Sequence, residues 1–326
     1  MPKMTMVQAL NLALRQEMER DDSVIVLGED VGRDGGVFRV TEGLMEKFGE
    51  GRVVDTPLAE SAIAGMSIGM AVYGLKPVCE IQFDGFSYHT LHQIENHASR
   101  LRWRSQGRYH VPMVLRAPYG GGVRALEHHS ESRETIWAHL PGLKTVIPSG
   151  PRNARALLVS AIRDPDPVIF YEPKASYRAF REEVPEDEET LPIGRSQRVR
   201  EGQDLTLIAY GAMMRPTLEA AEELKQKHGV EAEVIDLLTI SPLDDALLVE
   251  SARKTGRVAV VHEAPRSFGP GAEVVARLVE KAFFHLQAPV ARVTGFDVII
   301  PLFSREKFYL PDVPRIVAAA RDLLAD

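Results

Sequence analysis

Glu60 is the only ionisable side chain between Asp55 and Tyr73, in the stretch Asp55-Thr-Pro-Leu-Ala-Glu60-Ser-Ala-Ile-Ala-Gly65-Met-Ser-Ile-Gly69-Met-Ala-Val-Tyr-Gly74. A carboxyl group set among apolar neighbours is desolvated, which raises its pKa and lets it give or take a proton near neutral pH. The plainer alternative is a surface acid that complements the positive end of a helix. Ser61, Gly65 and Gly69 recur every four residues, so one helix face carries almost no side chains and admits another backbone at close range. A second acid, Glu29, stands with Asp30 at the end of the apolar run Val24–Leu27. Ends of parallel strands are where ligands bind, so Glu29 is a further candidate.

Histidines gather in the first half at positions 89, 92, 97, 110, 128, 129 and 139, none of them spaced as zinc ligands on a helix around a Glu. His128 and His129 follow the glycines Gly120-Gly-Gly122, and one imidazole at the mouth of a pocket can act as acid, base or anion anchor. The triple glycine lacks the Lys-Ser/Thr of a phosphate loop and reads as a tight turn. Further on, a helix beginning near Arg152 stops at Asp164-Pro-Asp166-Pro. Its last carbonyls, at Ala161 and Ile162, carry the negative end of the dipole, and with two aspartates they make a candidate nest for a monovalent cation.

These groups need a scaffold, and 326 residues suffice for two domains. Hydrophobic residues at 44% and charged residues at 26% are those of a soluble globular chain. The formal charge of -7 argues against a general nucleic-acid binder. Arg100, Arg102, Arg104 and Arg108, with Trp103 and Tyr109, read as a solvated or subunit-facing helix surface instead. The single cysteine, Cys79, excludes an internal disulfide, and the first residues lack the apolar core of a signal peptide; both suit the cytoplasm. The stretch 58–75 is short for a membrane span and contains Glu60, so no membrane segment is expected.

Strand-like runs at 24–27, 77–83, 111–117, 145–148 and 168–172 alternate with helix-like runs at 5–20, 57–73, 88–104 and 152–163. The pattern repeats with strands at 205–210, 232–237, 258–262 and 290–294, and helices at 216–228, 244–254, 271–285 and 314–324. Strands apolar throughout and separated by helices indicate mostly parallel sheets covered on both faces, an α/β fold. The acid-rich run 181–190 has no strand or helix period and reads as solvated connecting chain. The expected organisation is a domain over 1–185, a linker over 186–200 and a smaller domain over 201–326.

In this order, Gly28-Glu-Asp-Val-Gly32, Gly35-Gly-Val-Phe38, Asp55-Thr-Pro-Leu-Ala-Glu60-Ser, Glu80-Ile-Gln-Phe83, Gly120-Gly-Gly-Val123 and His129-Ser, the chain resembles a known family: the beta subunits of the decarboxylating component of 2-oxo acid dehydrogenase complexes. These are thiamine-diphosphate enzymes of transketolase-like fold. The resemblance runs from about residue 4 to 320, through Pro141-Gly-Leu-Lys144, Ala161-Ile-Arg-Asp164, Leu191-Pro-Ile-Gly194 and Thr294-Gly-Phe-Asp297. It implies a pyrimidine-binding N-terminal domain and a transketolase C-terminal-like domain.

The resemblance also implies roles. Glu60 falls on the acid that hydrogen-bonds the cofactor's aminopyrimidine and favours its imino tautomer. Phe86 falls on the aromatic wall of that ring, with Gln82 beside it and Glu29 as a further acid near the ring. His129 falls on the histidine that binds the substrate carboxylate or assists acyl transfer to lipoamide. A structural potassium site falls on Met113, Ala161, Ile162, Asp164 and Asp166, mostly through backbone oxygens. The Gly-Asp-Gly and Asn-Asn signature that holds magnesium and diphosphate is missing, so an alpha subunit is implied to supply both. An alpha-2 beta-2 heterotetramer, docked through the beta C-terminal region on a lipoyl-bearing acyltransferase core, is the implied assembly. Pyruvate is the preferred small 2-oxo acid. Branched-chain 2-oxo acids and acetoin are the alternatives within the same chemistry, and a non-catalytic assembly paralogue is the alternative outside it. Two departures stand out. His129-Ser-Glu131 replaces the frequent His-Ser-Gln, and Asp297-Val-Ile-Ile-Pro-Leu-Phe303 departs from the usual Pro-Tyr pattern.

Overall fold

The computed structural model describes residues 1–325. The expected alternation builds two mostly parallel sheets. The first contains strands β1 (Val24–Gly28), β2 (Val53–Asp55), β3 (Lys76–Glu80), β4 (Val114–Tyr119), β5 (Lys144–Val146) and β6 (Val168–Pro173). The second contains β7 (Gln197–Arg200), β8 (Leu205–Ala209), β9 (Ala232–Asp236), β11 (Val258–His262) and β12 (Ala291–Thr294). Between β9 and β11 lies β10 (Thr239–Ser241), which returns to the first sheet and pairs antiparallel with β5. The seven-stranded order is β10-β5-β6-β4-β3-β1-β2, and the five-stranded order is β12-β11-β8-β9-β7. Apart from β10 and the antiparallel edge strand β7, every neighbouring pair in these two sheets is parallel. Continuous burial along β1, β4, β6, β8, β9 and β11 accounts for their mostly apolar runs, in which Arg116, Glu172, Glu233 and Asp236 are buried charged exceptions.

Local signals start the covering helices. In α1 (Met6–Arg20), Thr5 and Gln8 form a reciprocal capping box, with Gln8 N–H donating to Thr5 Oγ1 at 3.4 Å and Thr5 N–H to Gln8 Oε1 at 3.0 Å. In α3 (Pro151–Arg163), Pro151 takes a first-turn position and the N–H of Gly150 donates to Asn153 Oδ1 at 2.9 Å. These helices pack on each other and cover one face of the first sheet. The Arg163 guanidinium donates to buried Glu17 at 2.6 Å.

The helix α2 (Glu60–Val72) starts three residues later than Thr56-Pro57 suggested. Thr56 instead stays extended beyond β2, its N–H donating to the Gly28 carbonyl at 2.9 Å. Glu60 therefore occupies the first turn, where its four N–H groups lack intrahelical acceptors. The helix expected at 88–104 starts earlier, at Asp84, and changes pitch along its length: a 3₁₀ turn over Asp84–Thr90, a short α turn, a π-helical stretch over Ile94–Ala98, then α-helix to Arg104. Nor is the acid-rich run free. Glu182–Glu183 pairs with Lys3–Met4, Val184 is fully buried, and Arg152 takes Glu189 at 2.7 Å, so ion pairs and one apolar anchor fasten the run to the first domain. The short strands β2, β7 and β10 lack a long apolar period and were not anticipated. No helix among the described residues is long and apolar enough to cross a membrane.

Candidate active site

The carboxyl ends of β1, β3, β4 and β6 point to one edge of the first sheet, and the candidate residues lie just past them. Glu29 follows β1, and Gln82 and Phe83 follow β3. The glycine loop follows β4, Lys174 follows β6, and α2 brings Glu60 down from β2. Glu60 is 7% exposed and Glu29 is 6% exposed. Burial first, then the charges of Glu60 and Asp30, push the Glu29 carboxyl up to about 7. One Glu29 oxygen, Oε1, is buried with no hydrogen-bond partner. An orphaned oxygen beside a second buried carboxyl makes a site for a ligand with polar ring nitrogens or hydrogens to offer.

Gln82 Nε2 donates to Asp30 Oδ2 at 3.1 Å, which ties the ends of β1 and β3 together. Asp30 itself sits at φ 59°, a left-handed conformation that turns the chain sharply out of the strand. Beyond Gln82 an aromatic cluster begins. The Phe83 ring meets the His129 imidazole edge-on at 4.1 Å between centroids, and Phe86 meets it at 5.4 Å. His128 lies against both His129 (4.2 Å) and Phe86 (5.6 Å). Burial, followed by the charges of His128 and Lys174, lowers the His129 pKa below the ordinary histidine value and so favours the uncharged imidazole.

Residues not singled out from the sequence hold this arrangement. Asp84 accepts from Tyr171 Oη at 2.5 Å, from Ser87 Oγ at 3.0 Å and from the Arg133 N–H at 3.0 Å. It thereby links the turn that carries Phe86 to the segment after His129. Burial pushes Asp84 up to about 6. Lys174 Nζ donates to the Gly120 carbonyl at 2.5 Å and lies 5.9 Å from the Phe83 ring centre; burial brings it down to about 8. Lys174 stands directly after the apolar run of β6, the one signal in the sequence for it, whereas Asp84 lies four residues past β3 and carried none.

The candidate cation residues lie apart, under α3. Lys144 Nζ bonds Asp164 at 2.6 and 2.7 Å, and Arg102 Nη1 bonds both oxygens of Asp166 at 2.7 Å. The two aspartates are therefore neutralised by the chain's own cations, which differs from an open acidic nest. The Met113 carbonyl accepts from Val168 N–H at 3.0 Å, and the Ala161 carbonyl from Asp164 N–H at 3.3 Å.

Residues 2–179 match the family described as transketolase, pyrimidine binding domain, and residues 194–316 match transketolase, C-terminal domain. The chain is 51% identical over 319 residues to the pyruvate dehydrogenase E1 component subunit beta of Acholeplasma laidlawii, covering 98% of this chain and 97% of the relative. It is 49% identical over 324 residues to the protein of the same name from Bacillus subtilis, covering 99% of each. The chain belongs to the transketolase-like E1 beta subunits. A solved structure described as a split-gene transketolase, inactive beta4 tetramer, shares the fold with a TM-score of 0.82 at 24% identity, covering 99% of each chain. E1 enzymes of this family are thiamine diphosphate dependent, and a beta subunit implies an alpha partner.

As an E1 beta subunit, the chain presents an unfinished surface beside Glu60. Leu58 is 79% exposed, Tyr73 is 92% exposed, and Ser61, Met66 and Gly69 are exposed between them. A Cβ added at Gly69 meets nothing within 4 Å, whereas one at Gly65 lies 3.6 Å from Gln93. At Gly85 the situation reverses: a Cβ there falls 1.7 Å from the His128 carbonyl oxygen. The Gly85→Ala substitution forces two backbones apart and moves the histidine loop. Overpacking of this kind costs about 1–3 kcal/mol, so the urea midpoint falls. Turnover of the assembled enzyme is expected to fall by at least about tenfold, because displacing His128 and His129 by about 1 Å misplaces the candidate site.

Proposed function

We propose that this chain is the beta half of an E1 component that decarboxylates pyruvate and passes the acetyl group to lipoamide. The convergence of Glu29, Glu60, Gln82, Phe86 and His129 on one edge of a parallel sheet, with the buried Glu29 Oε1 unpaired, carries the reading. When bound, thiamine diphosphate supplies an electron sink for the pair left behind as carbon dioxide departs. Glu60 hydrogen-bonds a ring nitrogen of the aminopyrimidine and holds its proton balance. Glu29 and Gln82 border the same ring, and Phe86 offers it an aromatic face. His129, whose burial favours the uncharged imidazole, takes and returns a proton at that ring during acyl transfer.

The alpha subunit covers the exposed strip from Leu58 to Tyr73 and brings magnesium and the grip on the diphosphate, in an alpha-2 beta-2 assembly. A lipoyl-bearing acyltransferase core docks on the C-terminal domain. The residues that would hold a potassium ion are Met113, Ala161 and Ile162 through main-chain oxygens, with Asp164 and Asp166, whose carboxylates Lys144 and Arg102 bond.

Full-length identity near 50% to pyruvate dehydrogenase beta subunits supports pyruvate as substrate. The test is purification with the cognate alpha chain and a panel of pyruvate, 2-oxoisovalerate and acetoin. One methylene is worth roughly 10–200-fold in a hydrophobic pocket, and kcat/KM for pyruvate is expected to lead by at least about tenfold. A lead for 2-oxoisovalerate, or turnover by the beta chain alone, overturns the proposal.

A further inference from the structure

The glycine loop after β4 is gripped from the other domain. Gly120 has φ 80°, Gly122 φ 90° and Arg124 φ 57°, and alternation of left-handed residues turns successive N–H groups into one concavity. Such a nest suits an anion, and here two carboxylates of the C-terminal domain fill it. Glu263 Oε2 accepts from the Gly121 N–H at 2.7 Å. Glu306 Oε1 accepts from the Gly122 N–H at 2.9 Å, and its Oε2 from the Arg124 N–H at 3.0 Å. Both glutamates are buried, at 2% and 3% exposure.

There is no slack in this contact. A Cβ at Gly120 lies 2.6 Å from Glu263 Oε1, and one at Gly121 lies 3.0 Å from Glu306 Oε1. The loop is then closed on itself, because the Gly120 N–H donates to the Glu131 carbonyl at 2.8 Å. His128 and His129 hang between these anchors, five residues or fewer from Arg124 and two or three from Glu131.

We infer that Glu263 and Glu306 are positioning residues: the C-terminal domain clamps the nest at Gly121–Arg124 and thereby sets His129 against Phe83 and Phe86. The hydrogen bonds of both glutamates go to the loop, and their charges also bear on Lys174, which lies against Phe83 beside the same loop. Their carboxylates are the shape that fits, since Glu306 accepts two N–H bonds at once and an amide side chain offers only one oxygen. The inference rests on the reading of His129 given above and adds that the second domain controls it.

The experiment uses the chain assembled with its alpha partner. Glu306→Ala, Glu306→Gln, His129→Ala and the double variant Glu306→Ala/His129→Ala are compared for lipoamide acylation, for thiamine diphosphate binding and for hydrogen exchange of the loop amides. The expected result is at least tenfold faster exchange at Gly122 and Arg124 in Glu306→Ala and at least tenfold lower kcat. Glu306→Gln falls between this variant and the parent. Affinity for thiamine diphosphate changes by far less than kcat, because Glu29 and Gln82 follow β1 and β3, Glu60 lies in α2, and Asp84 fixes the turn of Phe86 from its own side. In the His129→Ala background the Glu306 substitution costs nothing further, an outcome that general destabilisation would not give. Faster amide exchange with parental kcat, while His129→Ala is impaired, overturns the clamp alone. Parental kcat in His129→Ala overturns the reading of the histidine and the inference with it. Should Glu306→Ala not assemble, Glu306→Gln gives the same comparison.

Discussion

Glu60→Gln is expected to lower turnover of the assembled enzyme by about a hundred- to ten-thousand-fold, the range that a positioned acid or base contributes. The amide keeps the size of the carboxyl, so α2 and the core packing of its Ile63 and Ala64 persist, and assembly with the alpha chain survives. Decarboxylation of pyruvate measured beside sedimentation of the complex separates the two. Retained turnover in an intact complex would remove Glu60 from the chemistry.

The same substitution has a signature on Glu29. Removing the Glu60 charge takes away one of the causes that lift Glu29 from its ordinary 4.5 to about 7, so its titration midpoint falls. The sign for stability follows. With the folded pKa raised, the native chain holds a proton between pH 4.5 and 7 that the unfolded chain releases. This contribution is full below about 4.5 and is lost as pH rises through 7. In Glu60→Gln the decline still starts near 4.5 but is complete at lower pH, which carboxyl-carbon NMR and urea titrations across the range can follow.

Arg116→Met is expected to destabilise the chain by about 3–5 kcal/mol, the cost of leaving buried charge without its partner. Arg116 lies in β4 at 1% exposure and donates to Glu172 at 2.6 and 3.0 Å and to Glu80 at 2.8 Å. Tyr177 Oη donates to Glu172 at 2.6 Å. One guanidinium thus holds two carboxylates in the middle of the parallel sheet, directly below the strand ends that carry Gln82 and the glycine loop. Burial already raises the Glu80 pKa, and Arg116 opposes that rise. Without the arginine Glu80 binds a proton more readily, so the loss is larger at pH 8 than at pH 6. Urea midpoints at the two pH values check this. Combining Arg116→Met with Glu80→Gln and Glu172→Gln recovers most of the loss, since no unpaired charge then remains.

Much of the fold was legible because its strands are buried on both faces and its helices are not. The runs at 24–27, 168–172, 205–210 and 258–262 needed only unbroken apolarity bounded by turns, and the structure places strands there. Less regular elements escaped for definite reasons. β10 has three residues and earns its place by pairing with β5 across the domain boundary, a contact no local period reports. The start of α2 at Glu60 was hidden because Thr56-Pro57 imitates a helix start, while the Thr56 N–H is spent on Gly28.

The sequence alone determined the two-sheet α/β plan and marked out Glu60, Glu29 and His129, because local burial patterns and residue chemistry are written along the chain. Tertiary structure decided which of these groups meet. It set Glu29 against Glu60, Phe83 against His129, Lys144 and Arg102 on Asp164 and Asp166, and Glu263 and Glu306 on the glycine loop. The clamp joins residues 142 and 184 positions apart. Side-chain chemistry repeats too weakly over such distances to be read as a pattern, and only the packing of one domain on the other brings donor and acceptor together.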